Sequence, residues 1–183
     1  AGELDDRQLQ AWASAVNSLV GRTRLDFSIS VLMSMVEGVE ESSRKRELLG
    51  KIHGMCRSRP DLAAEVLLET ASAWLEEGNR GKAYDTLVLA AESSMTDGPF
   101  AIDALERAIG LLRGVDARQE ALKLARRMWS RSEQPTSAMM FAAGSNWYRA
   151  GTIYARTLRE AGRTSEAEVV ERQLNPPEHA QAP

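Results

Sequence analysis

The 183-residue chain carries 26 Ala, 20 Leu, 18 Glu, 19 Arg and 4 Lys against only 15 Val and Ile combined, a balance that disfavours a β-sandwich, a barrel or a doubly wound sheet and predicts an all-α fold. Its formal net charge of −3 comes from 23 basic and 26 acidic residues mixed along the chain, so no single-sign field points to nucleic acid or an anionic membrane. No apolar run approaches the roughly 18 residues of a membrane span, the richest segment, Ile29 to Val36, being interrupted by Ser30 and Ser34.

A chain of this length buries roughly 70% of the surface it exposes when unfolded. It therefore needs no disulfide, and Cys56, its single cysteine, cannot form one internally. One thiol leaves the compartment open. The start at Ala1, without a charged-then-apolar leader, reads as a cut edge or a processing site.

Apolar spacing and punctuation divide the chain into about nine helices. In the first, Leu9, Trp12, Val16, Leu19 and Val20 recur at helical intervals and Gly21 stops the run. The second runs from about Phe27 to Val39 with the stripe Ile29, Leu32, Met33 and Val36, and the third from about Ser43 to Arg57 buries Leu48, Leu49, Ile52 and Cys56. Pro60 opens a fourth, where a fixed φ and a missing N–H do no harm. From there the punctuation becomes regular. The helix over Glu65 to Glu77 turns at Gly78-Asn79-Arg80-Gly81 into a partner from Lys82 to Met95, and Asp97-Gly98-Pro99 breaks the chain. Phe100 to Arg113 and Ala117 to Arg131 form the next pair, with Asp116 and Gln119 in capping-box spacing. Pro135 opens a longer stretch to about Ala161, in which Gly144 and Gly151 mark a close crossing or a bend. Gly162-Arg163-Thr164 then turns the chain into a last helix capped by Ser165 and Glu168 and ending near Leu174. Residues 175–183 carry no aliphatic or aromatic apolar residue larger than Ala to bury and read as a disordered tail.

Superimposing the turns exposes a repeat. Ala71-x2-Trp74-x3-Gly78-x4-Ala83, Ile109-x2-Leu112-x3-Asp116-x4-Ala121 and Ala155-x2-Leu158-x3-Gly162-x4-Ala167 share one spacing. A large residue on the first helix faces a small one on the second, and the turn between them needs a helix-stopping residue. The small residues recur 38 and then 46 positions apart, both longer than a standard unit of about 34.

On these residues the chain resembles the tetratricopeptide repeat family over about Asp61 to Leu174, the best unit being Leu67, Ala71, Trp74, Gly78, Ala83, Leu87 and Ala90. The second unit departs in carrying Asp116 where Gly is usual, and the third carries Glu171 at a normally apolar position, as suits a terminal helix facing water. The resemblance implies antiparallel helix pairs stacked as a right-handed α-solenoid. On this reading residues 1–174 form a single helical-repeat domain, with 1–57 degenerate or outside the repeat and 61–174 tetratricopeptide-like. By position it also implies a groove-facing set of Glu65, Leu68, Ser72 and Leu75, then Asp103, Glu106 and Arg113, then Arg149, Thr152, Arg156 and Arg159. The subclass that clamps chaperone C-termini uses Lys and Asn where this chain has Leu68 and Ser72, Glu106 and Gly110, and Thr152 and Arg156, so that subclass is not implied.

Residues able to carry chemistry are sparse. His53 and Cys56 share a helical face, but two ligands fall short of the three or four of a zinc site, and the other histidine, His179, lies in the tail. The same scarcity argues against His-based catalysis. Gly78-Asn79-Arg80-Gly81-Lys82 lacks the Walker spacing and is followed by Ala83 rather than Ser or Thr, so it reads as a helix-helix turn. Arg44-Lys45-Arg46 and Arg126-Arg127 are offset by Glu40, Glu41, Glu47 and Glu120. Trp12 and Trp74 read as packing residues. Met139-Met140-Phe141 with Trp147-Tyr148 is either buried between repeats or an apolar strip for a partner, burial being the simpler reading.

These observations predict a non-enzymatic module that binds a protein or peptide, without cofactor, metal or nucleic acid. The alternative is a homodimer or a scaffolding domain of a larger polypeptide. Acidic residues dominate the first two units of the implied groove and Arg the third. Arg149, Arg156 and Arg159, at intervals of seven and three, share one side of a helix. They are either neutralised by Glu160 and carboxylates of an adjacent helix, or left open for an acidic partner segment.

Overall fold

The computed structural model describes Ala11 and residues 22–94, 100–132 and 146–175. Among these residues the fold is all-helical, without a strand: α1 (Arg22–Glu37), α2 (Ser42–Met55), α3 (Pro60–Glu76), α4 (Arg80–Ser94), α5 (Phe100–Gly114), α6 (Arg118–Arg131), α7 (Asn146–Glu160) and α8 (Thr164–Leu174). The helix expected over Leu9 to Val20, the Asp97-Gly98-Pro99 break, the Met139-Met140-Phe141 stretch and the tail after Asn175 lie outside the described residues.

The first part of the chain builds a small core of its own. Helix α1 starts ahead of its apolar stripe, leaving Phe27 on the surface while Ile29, Leu32 and Val36 turn inward against Leu48, Leu49 and Ile52 of α2. Pro60 occupies the first turn of α3, and Arg59 clasps Asp61 through two hydrogen bonds of 3.0 and 2.7 Å. These bonds hold the Asp61 carboxyl below its ordinary range, so a negative charge sits where the helix dipole favours it. Leu62, Ala63 and Val66 of α3 complete this first core, while Ala64, Leu68 and Ala71 of the same helix enter a second, larger one. The two sets lie on different faces of one helix, so α3 joins residues 22–57 to everything that follows.

Three helical hairpins then follow one turn pattern. Gly78 and Gly162 have φ of +75° and Asp116 has +54°, all in the left-handed region. The carbonyls of Trp74, Leu112 and Leu158 accept the amides of Asn79, Ala117 and Arg163 at 2.9, 2.8 and 2.9 Å. Those of Leu75, Arg113 and Arg159 accept the amides of Gly78, Asp116 and Gly162 at 2.9, 3.0 and 3.0 Å. These bonds satisfy carbonyls that a helix end would otherwise leave without partners. Asn79, Ala117 and Arg163 in turn accept from Ala83, Ala121 and Ala167, opening each second helix. All three alanines are buried. The spacing seen in the sequence is thus a shared hydrogen-bond register.

Two expected caps are corrected. Asp116 does not open α6: the N-cap there is Ala117, without a side-chain cap bond, because the positive φ of Asp116 commits it to ending α5. Ser165 and Glu168 do not cap α8 either. Its N-cap is Arg163, whose guanidinium instead clasps Glu166 in the first turn through two bonds of 2.6 Å.

Helices α3, α5 and α7 pack side by side in one layer, and α4 packs on α6 in the other, each hairpin being closed by contact between its own two members. The core between the layers fully buries Leu68, Leu87, Ile102, Leu105, Ile109, Leu112, Leu124 and Met128, each contributing about 1.5–3 kcal/mol relative to exposure. Gly151 serves a close crossing rather than a bend: a Cβ there would lie 2.6 Å from Leu174 Cδ2 and 2.9 Å from Trp129 Nε1. Trp74 departs from its predicted core role. It is half-buried, with the Arg46 guanidinium 3.6 Å and the Lys82 ammonium 4.4 Å from its ring centroid, so much of its contact is with cations.

Candidate protein-interaction surface

The layer of α3, α5 and α7 positions most of the groove residues implied by the sequence. Glu65 and Glu69, one turn apart on α3, both reach Arg107 of α5 at 3.5 Å. Asp103 and Glu106 on α5 pair with Arg149 and Arg156 on α7 at 2.7 and 3.1 Å. Arg113 Nη2 lies 2.6 Å from Glu160 Oε2 but off the line of its N–H, and its Nε has no acceptor. Between α5 and α7 the pairs Asp103 with Arg149, Glu106 with Arg156 and Arg113 with Glu160 advance together along both helices, so these two run in the same direction. These exposed pairs are each worth about 0–1 kcal/mol. Their effect is to fix lateral register and to neutralise charge where they form.

The predicted set divides accordingly. Glu65, Asp103, Glu106, Arg149 and Arg156 line the layer as cross-helix pairs, and Thr152 is exposed beside them with its hydroxyl donating to the Tyr148 carbonyl at 2.9 Å. The arginine trio is neutralised by carboxylates from adjacent helices. Arg159 is corrected in place: it donates to Glu171 of α8 at 3.0 and 2.6 Å and so belongs to the α7/α8 edge. Those bonds hold the Glu171 carboxyl below its usual range. Leu68 is corrected outright. It is 1% exposed and packs in the larger core, so no partner can reach it. Its repeat position implied a groove, but α3 turns that face onto α4 and α5.

Ser72 and Leu75 line a cleft of about 570 Å³ between α3 and α5, together with Glu69, Glu76, Arg107, Gly110, Leu111, Gly114 and Val115. Most of these α5 residues were not singled out in the sequence. Gly110 carried a usable signal: a glycine inside a helix costs roughly 1 kcal/mol relative to Ala, and no atom within 4 Å of its would-be Cβ requires it.

Other constellations fall apart or are filled. His53 is exposed while Cys56 is fully buried, with its thiol pushed up to about 11, mainly by that burial. Among the described residues no group of three His, Cys, Asp or Glu could hold a metal ion, and no helix is long and apolar enough to cross a membrane. Arg44 pairs with Glu47 at 2.6 Å and Arg46 with Glu77, so the basic run is partly neutralised. Trp147 is buried, and Trp129 stacks obliquely on it and on Tyr154 at centroid distances of 6.5 and 5.3 Å. These rings border a cleft of about 630 Å³ between α6 and α8. The chain matches no family model, and no curated protein matches it.

Proposed function

We propose that the chain is a non-enzymatic protein-interaction module, a right-handed α-solenoid of tetratricopeptide-like helix pairs that receives a peptide or partner helix on the face of α3, α5 and α7. The observation that carries this reading is the union of a repeated hairpin with an open surface. Three hairpins share one turn register, their first helices lie side by side, and the cleft between the first two keeps Leu75, Leu111 and Val115 only partly covered. A rigid helical layer holding apolar groups in a polar rim is suited to bind an amphipathic segment.

A photo-crosslinking residue placed at Leu75, and separately at Leu89 on the exposed side of α4, tests the reading in the native cell. Crosslinking of one discrete protein from position 75 and not from 89 is the expected result. Equal yields from both positions, or none from 75, would refute it.

A further inference from the structure

The α3/α5 cleft differs from the rest of the layer in what it offers a ligand. Leu75, Leu111 and Val115 are half-buried along it, and the absent side chains of Gly110 and Gly114 leave it open, since a Cβ at either would meet nothing within 4 Å. Its borders carry Glu65, Glu69 and Glu76 against one guanidinium, Arg107, which stands 3.5 Å from Glu65 and from Glu69. Lys45 approaches Glu76 at 3.9 Å, but the Lys45 side chain is 13% exposed and that of Glu76 51%, so a partner meets the carboxylate first. Arg80, at the far end, donates to the Val115 carbonyl at 2.9 Å. The cleft is lined by the C-terminal halves of both α3 and α5, so the negative ends of two helix dipoles lie on its side and add to the carboxylates.

The neighbouring α5/α7 surface offers no such imbalance, because Arg149 and Arg156 sit on Asp103 and Glu106 at shorter distances. An apolar trough whose bordering carboxylates outnumber its one guanidinium, with Glu65 and Glu69 sharing Arg107 and Glu76 held only by Lys45 at 3.9 Å and the Ser42 hydroxyl at 3.4 Å, selects a ligand with an apolar ridge and cationic flanks, and disfavours an acidic one. We infer that the α3/α5 cleft docks the apolar ridge of a basic amphipathic helix, whose Lys or Arg side chains meet Glu65, Glu69 and Glu76. This rests on the interaction-module reading and adds the chemistry of the partner.

The test is isothermal titration of the full chain with a synthetic Leu/Lys peptide bearing Leu at helical i, i+3, i+4 and i+7 positions, its Leu/Glu counterpart, and a scrambled Leu/Lys peptide. The Leu/Lys helix should bind one to one and weaken with added salt, and the other two should bind at least about tenfold more weakly. Gly110→Leu, which fills the trough, and Glu69→Lys, which inverts its border, should each weaken binding by about tenfold or more. Arg131→Gln on α6, in the opposite layer where it pairs with Glu92, should leave it within about twofold. Circular dichroism of Gly110→Leu should show a folded helical protein, since a Cβ there meets nothing within 4 Å and the position lines the cleft rather than the core.

Stronger binding of the Leu/Glu or the scrambled peptide, no binding of any peptide, or indifference to Gly110→Leu and Glu69→Lys would overturn the inference. So would a dimer of the unmodified chain that Gly110→Leu dissociates, which would make a second copy the occupant. If the peptides fail while position 75 still crosslinks to one protein, the basic helix is wrong and the module stands. If both fail, the module falls too.

Discussion

Replacing glycine by alanine should change stability in opposite directions at two positions of the same helical chain. At Gly78, φ is +75° and the amide is bonded to the Leu75 carbonyl at 2.9 Å. An L-residue held there costs roughly 1–2 kcal/mol, offset by about 0.4–1 kcal/mol from a less flexible unfolded chain, for a net loss of about 1 kcal/mol. At Gly110 the backbone is helical and the added methyl meets nothing within 4 Å, so the full helix-propensity difference, a gain of about 0.8–1 kcal/mol, is available. For a domain of this size each kcal/mol corresponds to about 2–4 °C in melting temperature. Gly78→Ala should therefore melt lower and Gly110→Ala higher, by a few degrees each, when followed by helical circular dichroism. Asp116→Gly supplies the reciprocal case. It relieves the left-handed residue at φ +54° at the loss of an exposed pair with Arg118, and should stabilise by about 0.5 kcal/mol. A shift of the same sign at positions 78 and 110, or clear destabilisation by Asp116→Gly, would refute the shared turn register.

Three further outcomes follow from the packing and the ion pairs. Gly151→Ala should cost about 1–3 kcal/mol in thermal unfolding, because its methyl would press on Leu174 and on the rigid Trp129 ring; an unchanged melting temperature would show that the crossing is loose. The Cys56 thiol, fully buried and pushed up to about 11, should react with a thiol reagent only on unfolding, so stoichiometric labelling of the native protein would contradict its placement. Glu171, held below its ordinary value of 4.5 by Arg159, binds fewer protons folded than unfolded just below that pH. Its stabilising contribution is thus present above about pH 4.5 and lost as pH falls through the folded value. Melting temperature between about pH 6 and pH 3 should decline more steeply for the native chain than for Glu171→Gln, and parallel declines would argue against the pair.

Much of the fold was legible because helical periodicity and turn chemistry are local. Ala83, Ala121 and Ala167 share a spacing, and that spacing recurs in space as one hydrogen-bond register. Asp116 was misread because Asp favours both N-caps and the left-handed region, and in the three residues between α5 and α6 the left-handed position falls on Asp116 while the cap falls on Ala117. The arginine cluster was visible by period alone, yet its partners stand 46 and 50 residues away at Asp103 and Glu106, a lateral register that no local pattern encodes. Leu68 was placed in the groove by analogy of position, whereas α3 packs on two cores and leaves that face no access to solvent. Trp74 looked like packing because aromatic size was read without Arg46 and Lys82, which arrive from α2 and α4.

Whether the α3/α5/α7 face takes another protein or a second copy of this chain is decided most directly by mass in solution. Light scattering should give about 20.1 kDa for the chain alone at micromolar concentration. With the protein crosslinked at position 75 it should give a one-to-one complex that Gly110→Leu abolishes without unfolding the chain. A dimer that persists at micromolar concentration and that the added protein cannot dissociate would contradict the account and identify the face as a self-association surface.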